Sequence, residues 1–138
     1  MNAVVTYLTF DGNCGQAMEF YSRCLGGELM AMPFSEMPGG PPKDSPMGGR
    51  IMHARITKGG MPLLMASDSQ PGMPLTFGNN FSVSIGCESA EEVDSLFAAL
   101  SEGGSITMPL GDQFWGARFG MFKDKFGIHW MLNYEYPK

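Results

Sequence analysis

The sequence predicts an α+β fold, with two βαβββ modules packed together as one domain over residues 1–138, each module built on a curved mixed sheet. Three observations carry this. A strand–helix–Gly-Gly unit occurs twice, first as Val4–Phe10, Asn13–Leu25 and Gly26-Gly27, then as Phe81–Cys87, Ser89–Leu100 and Gly103-Gly104. The copies stay in step, because 77 positions separate Gly26 from Gly103 and also Phe20 from Phe97. Each helix is then followed by three strand-like segments. A repeat this long, present only twice, is not a solenoid signature, since solenoids stack many short units. The modules span about 1–67 and 80–138, and neither would cover its sheet alone.

Each element has a local reason. In the first helix Ala17, Phe20, Tyr21, Cys24 and Leu25 form one apolar stripe at helical spacing. Asp11 or Asn13 is placed to cap its start, and Gly26 to take the left-handed exit. Strands follow at Glu28–Phe34, Arg50–Lys58 and Pro62–Ala66, the last two joined by the tight turn Lys58-Gly59-Gly60-Met61. In the second helix Val93, Leu96, Phe97 and Leu100 share a face, Ser89 and Glu92 have capping-box spacing, and Gly103 ends it. Strands follow at Ser105–Pro109, Ala117–Lys123 and Ile128–Glu135, with Asp124-Lys125-Phe126-Gly127 as the matching turn. Ser35–Gly49 and Ser67–Asn80 are too rich in Pro and Gly to continue strands. A loop as long as the first is either a functional lid or mobile surface.

Composition excludes several functions. The chain has 138 residues, 43% apolar and 17% charged, with net charge -5. That describes a globular chain without the concentrated basic surface that nucleic acid or an anionic membrane requires. No apolar run is long enough to span a bilayer, and the start lacks a basic n-region with an apolar h-region. The expected location is the cytoplasm. Cys14, Cys24 and Cys87 match no zinc spacing; they read as small buried hydrophobes, and a nucleophilic role would require a neighbouring base. The 13 methionines fill irregular core space or line an adaptable pocket.

Motifs for dinucleotides, P-loop phosphates, zinc proteases and serine hydrolases are absent. Alternation along the last strand puts His129, Met131, Asn133 and Glu135 on one face and Ile128, Trp130, Leu132 and Tyr134 on the helix-packing face. In the strand Phe81–Cys87, Phe81, Val83 and Ile85 are expected to meet the helix while Ser82 and Ser84 point away. The faces away from the helices are thus partly polar, suited either to enclosing a ligand or to plain solvation. In Gln113–Gly120, Trp115 and Arg118 offer a flat wall and a charge for a planar or anionic ligand, or else an ordinary hairpin packed on its neighbours.

The segments Tyr7–Cys14, Glu19-Phe20-Tyr21, Leu25–Glu28, Ile51–Ala54, Phe114–Gly120 and Asp124–Trp130 together resemble the PhnB-like branch of the vicinal-oxygen-chelate superfamily, which includes glyoxalase I, bleomycin-resistance proteins and extradiol dioxygenases. The resemblance covers essentially the whole chain. It implies the glyoxalase-like fold of paired βαβββ modules and a homodimer. It also implies a site where metal enzymes of the superfamily hold a divalent ion through His and Glu of the first and fourth strands. The corresponding positions here are Thr6, Ser82, Leu64 or Met65, and Met131. Hydroxyls and thioethers replace poorly the ligands that such ions need, so no metal and no cofactor are expected. His53 and His129 leave a non-standard metal site as the alternative. The branch also carries a demethylubiquinone methyltransferase label. The expected function is a metal-free pocket for a small organic molecule, planar or anionic, lined by Thr6, His53, Met65, Ser82, Ser84, Trp115, Arg118, His129 and Met131. The alternative is an enzyme of the same superfamily.

Overall fold

The computed structural model describes all 138 residues. The chain divides into two compact units, Met1–Thr76 and Phe77–Lys138. Each repeats the same order of elements. The first contains β1 (Thr6–Phe10), α1 (Cys14–Leu25), β2 (Glu28–Pro33), β3 (Ile51–Lys58) and β4 (Met61–Asp68). The second contains β5 (Val83–Gly86), α2 (Ala90–Ser101), β6 (Ser105–Asp112), β7 (Ala117–Lys123) and β8 (His129–Glu135). Sheet orders are β1-β4-β3-β2 and β5-β8-β7-β6. Only the β1–β4 and β5–β8 pairs are parallel, so both sheets are mixed. This is the α+β arrangement expected from the sequence.

In the first unit α1 packs on β2, β3 and β4. Ala17, Met18, Phe20 and Tyr21 of the helix are buried with Leu8, Phe10, Ala54, Ile56, Leu64 and Ala66 of the sheet. The start of α1 corrects one expectation. Asn13 occupies the cap position, but its side chain makes no capping bond. Asp68, at the end of β4, does this work: its Oδ1 accepts from the amides of Gly12 (2.8 Å) and Cys14 (3.0 Å), and its Oδ2 from that of Ile51 (2.8 Å). A buried carboxylate needs such donors, and the first amides of a helix are the free ones. Gly26 ends α1 in the left-handed conformation at φ 71°, and Lys58 Nζ donates to the carbonyl of Leu25 at 3.0 Å, a favourable place for a cation. Gly59 and Gly60 have φ of 58° and 80°, the positive pair that a two-residue hairpin turn requires.

In the second unit α2 packs on β6, β7 and β8. The serine half of the capping box is formed, with the amide of Glu92 donating to Ser89 Oγ at 3.0 Å, while Glu92 Oε1 reaches one residue further back and accepts from the amide of Glu88 at 2.9 Å. Phe97 meets Phe122 edge-on at 5.0 Å, and Phe122 stacks on Trp130 at 6.4 Å. Gly120 makes this packing possible, since a Cβ there would lie 2.6 Å from the Phe97 ring and 2.9 Å from Leu110 Cα. Phe81 departs from expectation. The strand begins only at Val83, and Phe81 is 69% exposed instead of packed on the helix.

The stretch 35–49 folds back on its own base. A 3-10 turn at Phe34–Glu36 opens it. The amide of Phe34 donates to the carbonyl of Arg50, and that of Ser35 to the carbonyl of Gly48. Gly48 is buried, and a Cβ on it would run into the Pro42 carbonyl.

Candidate functional site

Ladder register decides which side chains share a face. In the first unit the rows Thr6–Leu64–Ile56 and Leu8–Ala66–Ala54 belong to the side covered by α1. Between them lies the row Tyr7–Met65–Arg55–Met30, on the side turned away from α1. His53 and Met32, paired in register, share that side one step along. Of the expected residues, Met65 and His53 therefore come together and Leu64 drops into the core. Thr6 is a correction. Alternation gives it the parity of Leu8 and Phe10, so it is Tyr7 that stands beside Met65.

The centre of this face is a Tyr–His pair. Tyr7 Oη lies 3.1 Å from His53 Nδ1, and the rings stack with centroids 5.8 Å apart at 26°. Which of the two atoms donates depends on the imidazole tautomer. Tyr7 is 48% exposed, and Met30 and Met32 are 36% and 37% exposed. Arg55 is also exposed, and it forms no ion pair or hydrogen bond within the chain. By contrast Arg50, just before β3, is engaged by Asp11 at 2.9 Å and by the Ser69 carbonyl. The face thus combines an aromatic ring, an imidazole, an unpaired guanidinium and three thioethers.

In the second unit the corresponding row is Ser84–Met131–Met121–Met108, on the side turned away from α2. Ser84 and Met131 are direct neighbours in register. Ser82 lies just before β5 and outside the ladder. His129 pairs with Lys123 at the start of β8. Trp115, 54% exposed, sits edge-on to Phe114 at 5.0 Å and to Phe119 at 6.1 Å. Phe119 pairs with Asn133 and shares the parity of Met121 and Met131, so Trp115 flanks the end of this face.

Arg118 is the second correction. It shares the parity of Gly120 and Phe122, on the α2 side of β7. Its Nε donates to Asp94 of α2 at 2.7 Å and its Nη1 to Asp112 of β6 at 3.3 Å. Asp112 also accepts from the Tyr136 hydroxyl at 2.7 Å. That hydrogen bond first, and Arg118 second, hold the Asp112 carboxyl below its ordinary range. The bond to Asp94 is the main reason that the guanidinium is held more firmly protonated. Trp115 and Arg118 therefore do not converge; the arginine ties a helix to its sheet.

Two of the cysteines, Cys14 and Cys87, are held as neutral thiols at neutral pH. Burial first, and the charge of Asp68 second, push the Cys14 thiol up to about 12. Burial first, then the charge of Glu92 and a hydrogen bond to it, push Cys87 to about 11.

Within neither unit do three or more His, Cys, Asp or Glu side chains gather where they could hold a metal ion. The side chains that do meet on the first-unit face, a phenol, one imidazole, thioethers and a guanidinium, are a poor donor set for a divalent ion, and the cationic Arg55 beside them opposes one further. No helix is long and apolar enough to cross a membrane.

Residues of this face that sequence reasoning missed are Tyr7, Arg55, Met30 and Met32. The signal was present in two forms. Arg55 alternates with the core residues Ala54 and Ile56, on the parity of His53. Tyr7 lies 77 positions before Ser84, the spacing that relates the two helices.

Residues 2–133 match the family described as 3-demethylubiquinone-9 3-methyltransferase. Protein YjdN of Escherichia coli is 34% identical, with 92% of this chain and 91% of that protein covered. Among solved structures, protein PA1353 from Pseudomonas aeruginosa is 47% identical with a TM-score of 0.83, covering 96% of each chain. The PhnB protein from Bacillus cereus is 32% identical with a TM-score of 0.76, covering 95% of this chain and 98% of its own. At 14% identity, a glyoxalase/bleomycin resistance protein/dioxygenase family enzyme from Burkholderia phytofirmans shares the fold, with a TM-score of 0.63 over 97% of this chain and all of that one. The chain belongs to the family described as 3-demethylubiquinone-9 3-methyltransferase, together with the PhnB protein it resembles.

Proposed function

We propose that the first-unit sheet face binds a small organic molecule, planar and anionic, without a metal ion, and that the chain acts as a homodimer. One observation carries the binding reading: the Tyr7–His53 pair stands beside the unpartnered Arg55 among Met30, Met32 and Met65. Rings and thioethers supply a flat apolar bed. Arg55 supplies a fork that matches a carboxylate. The family description names a methyl transfer, but both helix starts are partly occupied: Asp68 takes the Cys14 amide at the start of α1, and Ser89 takes the Glu92 amide at the start of α2. The dimer reading rests on the free edges β1, β2, β5 and β6 together with exposed Tyr7, Met30, Met32 and Phe114.

The test is calorimetric titration with 1-naphthoate and its uncharged counterpart 1-naphthamide, before and after exhaustive chelation. Binding of the carboxylate should survive chelation. It should weaken about tenfold or more in Arg55→Met, as expected for a lost charge-assisted hydrogen bond, and less in Tyr7→Phe. Equal affinity for both compounds, or loss of binding after chelation, would count against this reading. Saturable binding of S-adenosylmethionine would favour the methyl-transfer description instead.

A further inference from the structure

The second unit carries an open hollow of about 410 Å³ lined by Phe77, Gly78, Asn79, Lys123, Gly127 and His129. It is separate from the Tyr7–His53 face in sequence and in sheet. Lys123 and His129 stand directly opposite each other in the β7–β8 ladder. Their neighbours Phe122 and Trp130 are buried on the α2 side, so both basic side chains project to the other side. Two basic groups thus stand side by side at the end of the ladder. Lys123 has no ion pair or hydrogen bond.

No acid of the unit pairs with Lys123 or His129: Asp112 and Asp94 hold Arg118 at the other end of β7, and Glu92 accepts from the Glu88 amide. Asp124, next in sequence, is buried and turned to the amides of Phe126 and Ile128 and the Trp130 indole. In a chain of net charge -5, an unpaired lysine beside a histidine in a hollow is out of keeping with its surroundings. The hollow also has a flat wall. Gly127 has φ 91°, and the Phe77 ring lies against it, with ring carbons 3.0 Å from where a Cβ would be. A side chain at 127 would push that ring away. Asn79 adds an amide that both donates and accepts.

We propose that this hollow is a second binding site, specific for a small aromatic monocarboxylate. The carboxylate lies between Lys123 Nζ and the His129 imidazole, and the ring rests on Phe77. It stands independently of the reading of the first-unit face.

The probe is benzoate, with benzamide as the uncharged isostere, followed by the side-chain NMR signals of Lys123 and His129. Benzoate should shift both signals saturably, and benzamide should not. Lys123→Met should weaken benzoate at the His129 signal about tenfold or more, while Lys123→Arg retains it. Arg55→Met should leave these shifts in place. The proposal is overturned if benzamide acts as benzoate does, if Lys123→Met leaves the affinity unchanged, or if benzoate gives no saturable shift at either residue. It is equally overturned if Arg55→Met abolishes the shifts, since the perturbation would then originate at the first-unit face. Lys123 is exposed at a strand end, so its replacement leaves the core intact.

Discussion

The indole N–H of Trp130 donates to Oδ2 of Asp124 at 2.8 Å. The other oxygen of that carboxylate accepts from the amides of Phe126 (2.8 Å) and Ile128 (3.0 Å). One buried side chain thus closes the β7–β8 turn and satisfies the largest buried ring of the second unit. Asp124→Ala should cost about 2–4 kcal/mol, because it strands a buried N–H and loosens the turn. Asp124→Asn, which keeps one accepting oxygen, should cost about half of that. Urea unfolding measures both, and an Ala variant within 0.5 kcal/mol of the parent (roughly the scatter of a surface change) would sink this account.

The two tryptophans should differ sharply as probes. Trp115 is 54% exposed at the end of a hairpin, and Trp130 is 1% exposed. Acrylamide should quench a red-edge component that disappears in Trp115→Phe, leaving a blue, protected emission from Trp130. If the quenchable component persists in Trp115→Phe, the burial of Trp130 is wrong.

Arg118 gives a prediction opposite to the one its sequence context suggests. Its partners Asp94 and Asp112 have side chains 51% and 64% exposed, so solvent screens both pairs and neither contributes much stability. Arg118→Ala should lower stability only slightly and leave 1-naphthoate binding unchanged. Weakening of that binding without loss of stability would return the guanidinium to a ligand site.

Much of the fold was legible because its determinants are local and periodic. The apolar stripe Ala17–Phe20–Tyr21 fixes α1, and Gly26, Gly59 and Gly60 sit where only positive φ will serve. The α1 cap was not legible, because it comes from Asp68, 54 positions away from Cys14. The layout of the candidate face was half legible. Alternation with Ala54 and Ile56 puts His53 on the face away from α1, but Thr6 was counted on the wrong parity, so Tyr7 was missed. Arg118 misled because a strand shows its alternation but not which acids will meet it. Asp94 lies on a helix whose approach to β7 depends on Gly120 and Phe97.

Assembly is expected to be dimeric. Light scattering at tens of micromolar protein should give about twice the chain mass of 15.0 kDa. A monomer with no concentration dependence would leave the exposed Met30, Met32 and Tyr7 to be explained by ligand binding alone.

The last prediction concerns alkaline stability. Cys14, the first residue of α1, is fully buried, and its thiol is pushed from 9.0 to about 12, by burial first and by Asp68 second. The folded state thus holds the proton more tightly than the unfolded chain does. A raised value contributes stability in full below pH 9, and that contribution is lost as pH rises from 9 towards 12. The complete loss is on the order of 4 kcal/mol, of which about half should be gone by pH ~10.5. Lysines and tyrosines titrate in the same window, so the informative quantity is the difference between the parent and Cys14→Ala. At pH 8 the variant should be less stable by roughly 1 kcal/mol, for the small cavity it leaves. Its disadvantage should shrink and then reverse as pH rises, because it has no thiol to ionise on unfolding. Urea midpoints at pH 8, 9.5 and 10.5 read this directly. Parallel curves for the two proteins across that range would show that the Cys14 thiol is not held neutral by the fold.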